Sequence, residues 1–382
     1  MIHDVALSFL KGIGARTANT LAAHFGTTQR LFDTSGRDCR EAGMNARLAE
    51  EWPRMKQKAL ERAKKEIDLC QRHKIGIICR NHPGFPASLA CCADAPTVLY
   101  YKGSFPFPAP FGVAIVGTRR ASLYGKGQTE ALVEGLRHDK VCIVSGLALG
   151  IDTRAHASSL ACRLPTWAVL AHGLEQVYPP RNLGLAREIV ENGGTVLSEM
   201  PLGTPIKSGL FPRRNRIIAG LSNVTVIAES SMKGGAMHTV YAADSYQRGV
   251  FAIPHPNGQE FSEGGNFLIK TGKAVLLQSA QDIRRELGLR RKPDAQGKQG
   301  GLFDALAPLP AYAPTEAQRP LTEIFRRQEE ASTDQLQHLS GLSIAELLPL
   351  LLQLEMAGVI KTLPGNRYKR EKRFRLPGEQ EH

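Results

Sequence analysis

The chain has 382 residues, 42% of them hydrophobic and 22% charged, a balance that excludes a disordered polymer and supplies more apolar side chain than one typical core uses, so two or three domains are expected. Lysine and arginine outnumber the acids 49 to 36, a formal charge of +13, which points to a polyanionic partner, either a nucleic acid or an acidic membrane surface. No apolar run approaches the ~20 residues of a bilayer span, residues 1–5 lack the basic and apolar regions of a signal peptide, and the seven cysteines never fall in a CxxC spacing. A cytoplasmic chain with reduced thiols, no metal site and no membrane insertion is therefore expected.

Residues 1–105 read as an N-terminal helical region and its connection. Leu10-Lys-Gly-Ile-Gly14 lies between apolar helical stretches; such a turn either sets its amides against a phosphate or simply joins two helices. A charged helical pattern follows over 50–74, and Lys74-Ile-Gly-Ile-Ile-Cys79 reads as a short buried strand. Asn81-His-Pro-Gly-Phe-Pro86 and Pro106-Phe-Pro-Ala-Pro110 then break regular structure, which puts the first domain boundary at 105/106.

Over 106–287 short β-branched runs, at 113–116, 141–145, 167–171, 195–198, 224–228, 250–253 and 274–277, alternate with stretches of helix length. That alternation predicts an α/β domain, a Rossmann-like, doubly wound and mostly parallel sheet. Ligands of such sheets collect at the carboxyl ends of the strands, so the residues after each strand are the informative ones. After the first come Gly117, Thr118, Arg119 and Arg120, then Ser122 and Gly125; after the second, Ser145 and Gly146; after the fifth, Lys233, Gly234 and Gly235. Small residues admit a phosphate to backbone amides, hydroxyls donate to it and an arginine clamps it. The densest cluster is Phe211-Pro-Arg-Arg-Asn-Arg216 at the head of an apolar helix. It reads as a phosphate grip with a stacking ring, formed by Phe211, Arg213, Arg214, Asn215 and Arg216, or as an arginine-rich cap that pairs with carboxylates. No GxxxxGK[ST] occurs and no GxGxxG follows the first strand, which argues against nucleotide hydrolysis and dinucleotide chemistry. Asp152 and His156, on one helix face, are an acid/base candidate or a pair that orients a turn.

Val113-Ala-Ile-Val-Gly-Thr-Arg119 with Ser122 and Gly125, Ser145-Gly-Leu-Ala-Leu-Gly-Ile-Asp152 with His156, Tyr178-Pro-Pro with Asn182, and Phe211-Pro-Arg-Arg-Asn-Arg-Ile-Ile-Ala-Gly-Leu-Ser222 together resemble the DNA processing protein A family, also called DprA or Smf. The resemblance implies an extended Rossmann-like domain that binds single-stranded DNA, dimerises and loads RecA in natural transformation and recombination, with single-strand-binding protein as a further partner. It implies a mediator without catalysis or cofactor, and DNA contacts at Arg119, Phe211, Arg213, Arg214 and Arg216. Lys207 matches the family's basic residue before the phenylalanine only approximately, and Lys233-Gly-Gly-Ala-Met237 departs from the family's usual Ser-Gly-Ser turn. For the homodimer, Leu268 and Ile269 in the apolar stretch Phe267-Leu-Ile269 are the interface candidates. The alternative is a nucleotide-processing Rossmann enzyme of the lysine-decarboxylase-like group, which shares the opening turn but uses Pro-Gly-Gly-x-Gly-Thr and a downstream glutamate, absent after Lys233.

Residues 288–318, rich in Gly, Ala, Pro, Gln and Arg without apolar period, read as a flexible linker. Residues 319–382 carry three helical stretches and a hairpin, a winged-helix pattern. Its recognition stretch, Ile344–Glu355, holds acids and no arginine, which favours a protein contact or accessory role over duplex reading.

Overall fold

In this computed structural model, which describes residues 1–106, 109–256, 258–289, 312–363 and 367–370, the chain divides into two units, Met1–Arg291 and Lys292–His382. Most of the expected linker (290–311) and the basic tail beyond 370 lie outside the described residues.

The larger unit opens with five helices, α1 (Ile2–Ser8), α2 (Ala15–His24), α3 (Thr28–Asp33), α4 (Gly36–Glu41) and α5 (Ala46–Arg72), followed by β1 (Gly76–Cys79), α6 (Ala87–Ala90) and β2 (Val98–Gly103). Strand and helix then alternate: β3 (Phe111–Gly117), α7 (Leu123–Gly135), β4 (Val141–Ser145), α8 (Ile151–Ala161), β5 (Thr166–Leu170), α9 (Leu183–Glu191), β6 (Thr195–Ser198), α10 (Leu210–Leu221), β7 (Val224–Glu229), α11 (Ala236–Ser245), β8 (Gly249–Ala252), α12 (Glu263–Lys270), β9 (Val275–Leu276) and α13 (Ala280–Glu286). All nine strands form one sheet in the order β1-β2-β6-β5-β4-β3-β7-β8-β9, parallel from β6 to β9 and antiparallel at the β1 and β2 edge.

The central strands β3 to β8 are buried on both faces, as their β-branched composition requires. In β3, Val113 and Ile115 pack toward α7, α8 and α13, while Ala114 and Val116 pack with Ile217 and Ile218 of α10 and Met237 and Val240 of α11. Each fully buried aliphatic side chain contributes about 1.5–3 kcal/mol. The doubly wound α/β architecture expected from the alternation is the one observed.

The boundary expected at 105/106 does not divide the molecule. Val98-Leu-Tyr-Tyr, a run of good strand formers overlooked beside the helical signal, becomes β2 and pairs with β6, Tyr100 opposite Ser198. The N-terminal helices share a core with the sheet: Val5, Leu21, Trp52 and Ala63 belong to the same apolar cluster as Tyr100, Ala168, Leu170 and Val196. A second correction concerns Leu268. It is fully buried in the core with Val250 and Ala252, while Ile269 is only partly buried against the same cluster. Their spacing along α12 turns one side chain inward, so a charge at Leu268 would unfold the unit rather than split a dimer.

The smaller unit contains α14 (Arg319–Arg327), β10 (Glu330–Ser332), α15 (Thr333–Ser340), α16 (Ile344–Met356), β11 (Ile360–Leu363) and β12 (Arg367–Arg370), its three strands in the order β10-β12-β11. Leu321, Phe325, Leu336, Leu347, Leu351 and Leu354 fill its core. Within this unit Ile344, Leu348, Leu352 and Met356 are exposed at four-residue spacing along α16, an apolar stripe without a cation. No single helix among the described residues is long and apolar enough to cross a membrane.

Deleting residues 1–103 would bare Val196, Leu197 and the hydrogen-bonding edge of β6, and the expected result is an aggregating fragment. A cut after residue 291 should leave the larger unit's melting transition intact. A soluble, cooperatively melting 104–289 fragment, read by calorimetry, would contradict this account of the core.

Candidate nucleic-acid interface

From β3 the chain moves to one side through β4, β5 and β6, then returns to β3's other side as β7. The β3/β7 pair is therefore the topological switch point, where loops diverge and leave a crevice. A cavity of about 390 Å³ opens there. Gly117, Thr118, Arg119 and Arg120 line it from the end of β3, Ala148 and Asp152 from beyond β4, and Phe211, Arg214 and Asn215 from α10. Ser230, Ser231, Gly234 and Gly235 close it from the end of β7, with Phe261 at its side.

Arg119 is exposed and makes no ion pair among the described residues; its guanidinium lies over the Phe211 ring, 5.2 Å from the centroid. Tyr178 packs against the other part of Phe211, ring centroids 5.9 Å apart. A small hollow lined by Arg119, Leu149, Tyr178 and Phe211 continues the crevice past the ring. Asn182 donates to Leu147 O (2.8 Å), Ala148 O (3.3 Å) and Thr153 Oγ1 (2.9 Å), which pins the loop bearing Leu149. Arg120 pairs with Glu260 at 3.2 Å and stands over Phe261. That pair is exposed and worth little, so it does not commit Arg120.

Arg214, expected at the surface, is buried instead. Its Nη1 donates to Gly146 O at 2.7 Å and to Val169 O, and its Nε to Asn215 Oδ1 at 3.0 Å. Burial pushes the guanidinium down to about 10, opposed by Asp152 and reinforced by the nearby charge of Arg119. Gly146 is glycine because a Cβ there would meet that guanidinium at 2.6 Å. Asp152 accepts from Gly146 N (3.1 Å) and Ala148 N (3.4 Å); burial raises its pKa against the pull of Arg214. Ser145 is buried and donates to Ile115 O.

The turn after β3 is corrected in the same way. Glu229 at the end of β7 is buried, and its Oε2 accepts from Ser122 N at 2.9 Å. A Cβ on Gly125 would come within 2.4 Å of that oxygen. The small residues at the head of α7 therefore admit an internal carboxylate rather than an external phosphate, while Ser122 Oγ caps the helix by accepting from Gly125 N. At the head of α10 the amides of Leu210 and Phe211 are taken by Lys207 O and Ser208 O, and Pro212 has none. Anion binding here rests on side chains, not on free helix amides.

The remaining expected site residues divide. Asn215 lines the crevice but braces it, donating to Gly235 O at 3.1 Å. Arg216 is turned away and pairs with Glu199 and Asp94. Arg213, Lys207 and Lys233 are exposed and do not line the crevice. Ser230 and Ser231 follow a predicted strand and the post-strand rule would have found them. Phe261, held at φ +64, gave no sequence signal.

The family described as DNA recombination-mediator protein A matches residues 76–288, and the DprA winged helix domain matches residues 305–366. The chain belongs to that family. The first match begins at β1, in keeping with β1 and β2 as parts of the sheet. Protein Smf of Escherichia coli K12 is 32% identical over 85% of this chain and 84% of its own length. DNA processing protein DprA of Streptococcus pneumoniae R6 is 40% identical over 53% and 71%. The X-ray structure of the Streptococcus pneumoniae protein superposes with a TM-score of 0.63 at 30% identity, covering 75% of this chain and 98% of that one. A structure of DNA processing protein A from Helicobacter pylori, described for its single-stranded DNA binding mode, has a TM-score of 0.51 at 30% identity and covers 56% and 95%.

The acid/base candidates are structural. His156 is fully buried, its Nδ1 2.7 Å from Thr166 Oγ1, and burial, aided by Arg214, lowers its pKa to about 3. In the unfolded chain the ring takes a proton below about 6.5, whereas in the fold it stays neutral, so protons favour unfolding. Stability should fall by up to about 1.4 kcal/mol per pH unit as pH drops from 6.5 toward 3. His156→Gln should flatten that segment of a pH series of denaturant melts; an unchanged slope would show that His156 is not the titrating group.

Proposed function

We propose that the chain binds single-stranded DNA in the β3/β7 crevice and loads RecA onto strands already coated by single-strand-binding protein, as a mediator without catalysis of its own. The observation that carries this reading is the Arg119 guanidinium, without an ion pair among the described residues, over Phe211 at the switch point. A phosphate and a base face are what that pair can take, and neither carries sequence information. Exposed Lys207, Arg213 and Lys233 around it add to a field that falls with salt. The single-stranded DNA binding described for the Helicobacter pylori relative supports the same class of ligand. A mononucleotide enzyme is disfavoured, because the Glu229 carboxylate holds the α7 N-terminus where its phosphate would sit. The apolar α16, without a cation, favours a protein contact over duplex reading.

A cytoplasmic site of action, in natural transformation or recombination, belongs to this proposal, as does a homodimer. With Leu268 inside, the proposed dimer surface is the β9 edge, where Val275 and Leu276 are exposed, with Phe267 exposed on α12. Sedimentation should give a dimer at micromolar concentration, and a monomer would refute that part.

Arg119→Ala should weaken binding to oligothymidylate and flatten the logarithmic salt slope by about 0.7; Phe211→Ala should cost about 1–3 kcal/mol. The unmodified protein should speed RecA assembly on coated strands without hydrolysing nucleotide. Turnover of nucleoside monophosphates with no effect on RecA would overturn the reading.

A further inference from the structure

A second cleft, of about 760 Å³, opens on the same carboxyl rim between the α1–α2 turn, the start of β2 and the loop after β6. Lys11 and Arg16 line it from the turn, Arg62 from α5, and Arg213 and Arg216 from α10. Its carboxylates are Asp94 and Glu199, and Arg216 engages both. Lys11, Arg16, Arg62 and Arg213 are exposed and make no ion pair among the described residues. Four cations without an ion pair among the described residues therefore line one hollow, Arg213 within electrostatic reach of Glu199 and Arg62 of Glu66.

A single helix, α10, separates this cleft from the crevice and contributes side chains to both. Phe211, Arg214 and Asn215 of α10 line the crevice, whereas Arg213 and Arg216 line the cleft; at 100° per residue these sets occupy different faces of the same two turns. The rim from β6 to β3 spans three strand spacings, about 14 Å, a reach of a few nucleotides. The chemistry also repeats. Arg62 lies over the Phe9 ring at 4.3 Å, as Arg119 lies over Phe211 at 5.2 Å. A guanidinium held over a ring offers charge to a phosphate beside an aromatic face for a base. Gly14, at the N-cap of α2, has open space where a Cβ would stand and no side-chain cap, which leaves room for a backbone to approach.

We infer that single-stranded DNA seated in the β3/β7 crevice runs over the head of α10 into this cleft, so that Lys11, Arg16, Arg62 and Arg213 form a second backbone-tracking site supplied largely by the N-terminal helices. The inference rests on the proposed crevice site and lengthens it. It gives the Leu10–Gly14 turn a function, and explains why the N-terminal helices are fused to the sheet's core.

The test compares oligothymidylates of 5 and 20 nucleotides, titrated by fluorescence anisotropy at several salt concentrations. Lys11→Ala/Arg62→Ala should leave the 5-mer's affinity unchanged, weaken the 20-mer several-fold, and flatten its salt slope by about 1.4, which is about 0.7 for each phosphate no longer neutralised. Because Arg62 packs on Phe9, Lys11→Ala/Arg16→Ala repeats the test without touching a packed group. Arg119→Ala should weaken both lengths. An unchanged 20-mer with both pairs, while Arg119→Ala weakens both lengths, would overturn the cleft and leave the crevice standing; indifference to all three variants would sink both. Loss of polyglutamate binding in the pair variants, with the 20-mer's slope unchanged, would assign the cleft to an acidic protein segment and equally overturn the inference.

Discussion

The carboxyl rim is organised by the buried guanidinium of Arg214. It bonds the carbonyls of Gly146 and Val169, beyond β4 and within β5, and passes through Asn215 to Gly235 in the loop after β7. One side chain thus ties four elements together and fixes the first turn of α10, and with it Phe211. Removing it would leave two buried carbonyls without their donor, a loss of about 1–3 kcal/mol for each, and take away the charge that offsets the burial of Asp152.

The same charge shapes the site's affinity for anions. Arg119 outside and Arg214 inside repel one another, which is part of why the pKa of Arg214 is depressed. In the proposed binding mode a phosphate at Arg119 would relieve that repulsion. Four acids are engaged within the larger unit: Glu229 at the head of α7, Glu199 and Asp94 on Arg216, Asp139 on Arg284.

Much of this is legible in the sequence. The β-branched runs locate the parallel strands, and two residues that the sequence reading singled out separately, Arg119 after a strand and Phe211 at the head of a helix, stand together in one crevice. The errors share one cause. Glycines beside charged residues read as room for an external anion at Gly125 and Gly146, yet each admits an internal charged group, Glu229 or Arg214. Those groups come from 107 and 68 residues away, as the Ser122–Glu229 and Gly146–Arg214 bonds show, and no local pattern reports such a pairing. Leu268 fails for a similar reason: an apolar triplet on a helix does not disclose which member faces inward until the helix is docked. The N-terminal boundary fails because helical periodicity in residues 1–74 conceals that the next two strands complete another element's sheet.

In the proposed binding mode Arg214 holds the site while Arg119 touches the ligand, and Arg214→Lys separates the two roles. A lysine keeps the charge but cannot span Gly146 O, Val169 O and Asn215 together. Measured with oligothymidylate across a salt series, the variant should bind more weakly with an unchanged logarithmic slope, and hydrogen exchange at the first turn of α10 should quicken. A slope flattened by about 0.7, the value for one phosphate left unneutralised, with α10 protection intact, would contradict this division of roles and return Arg214 to the binding surface.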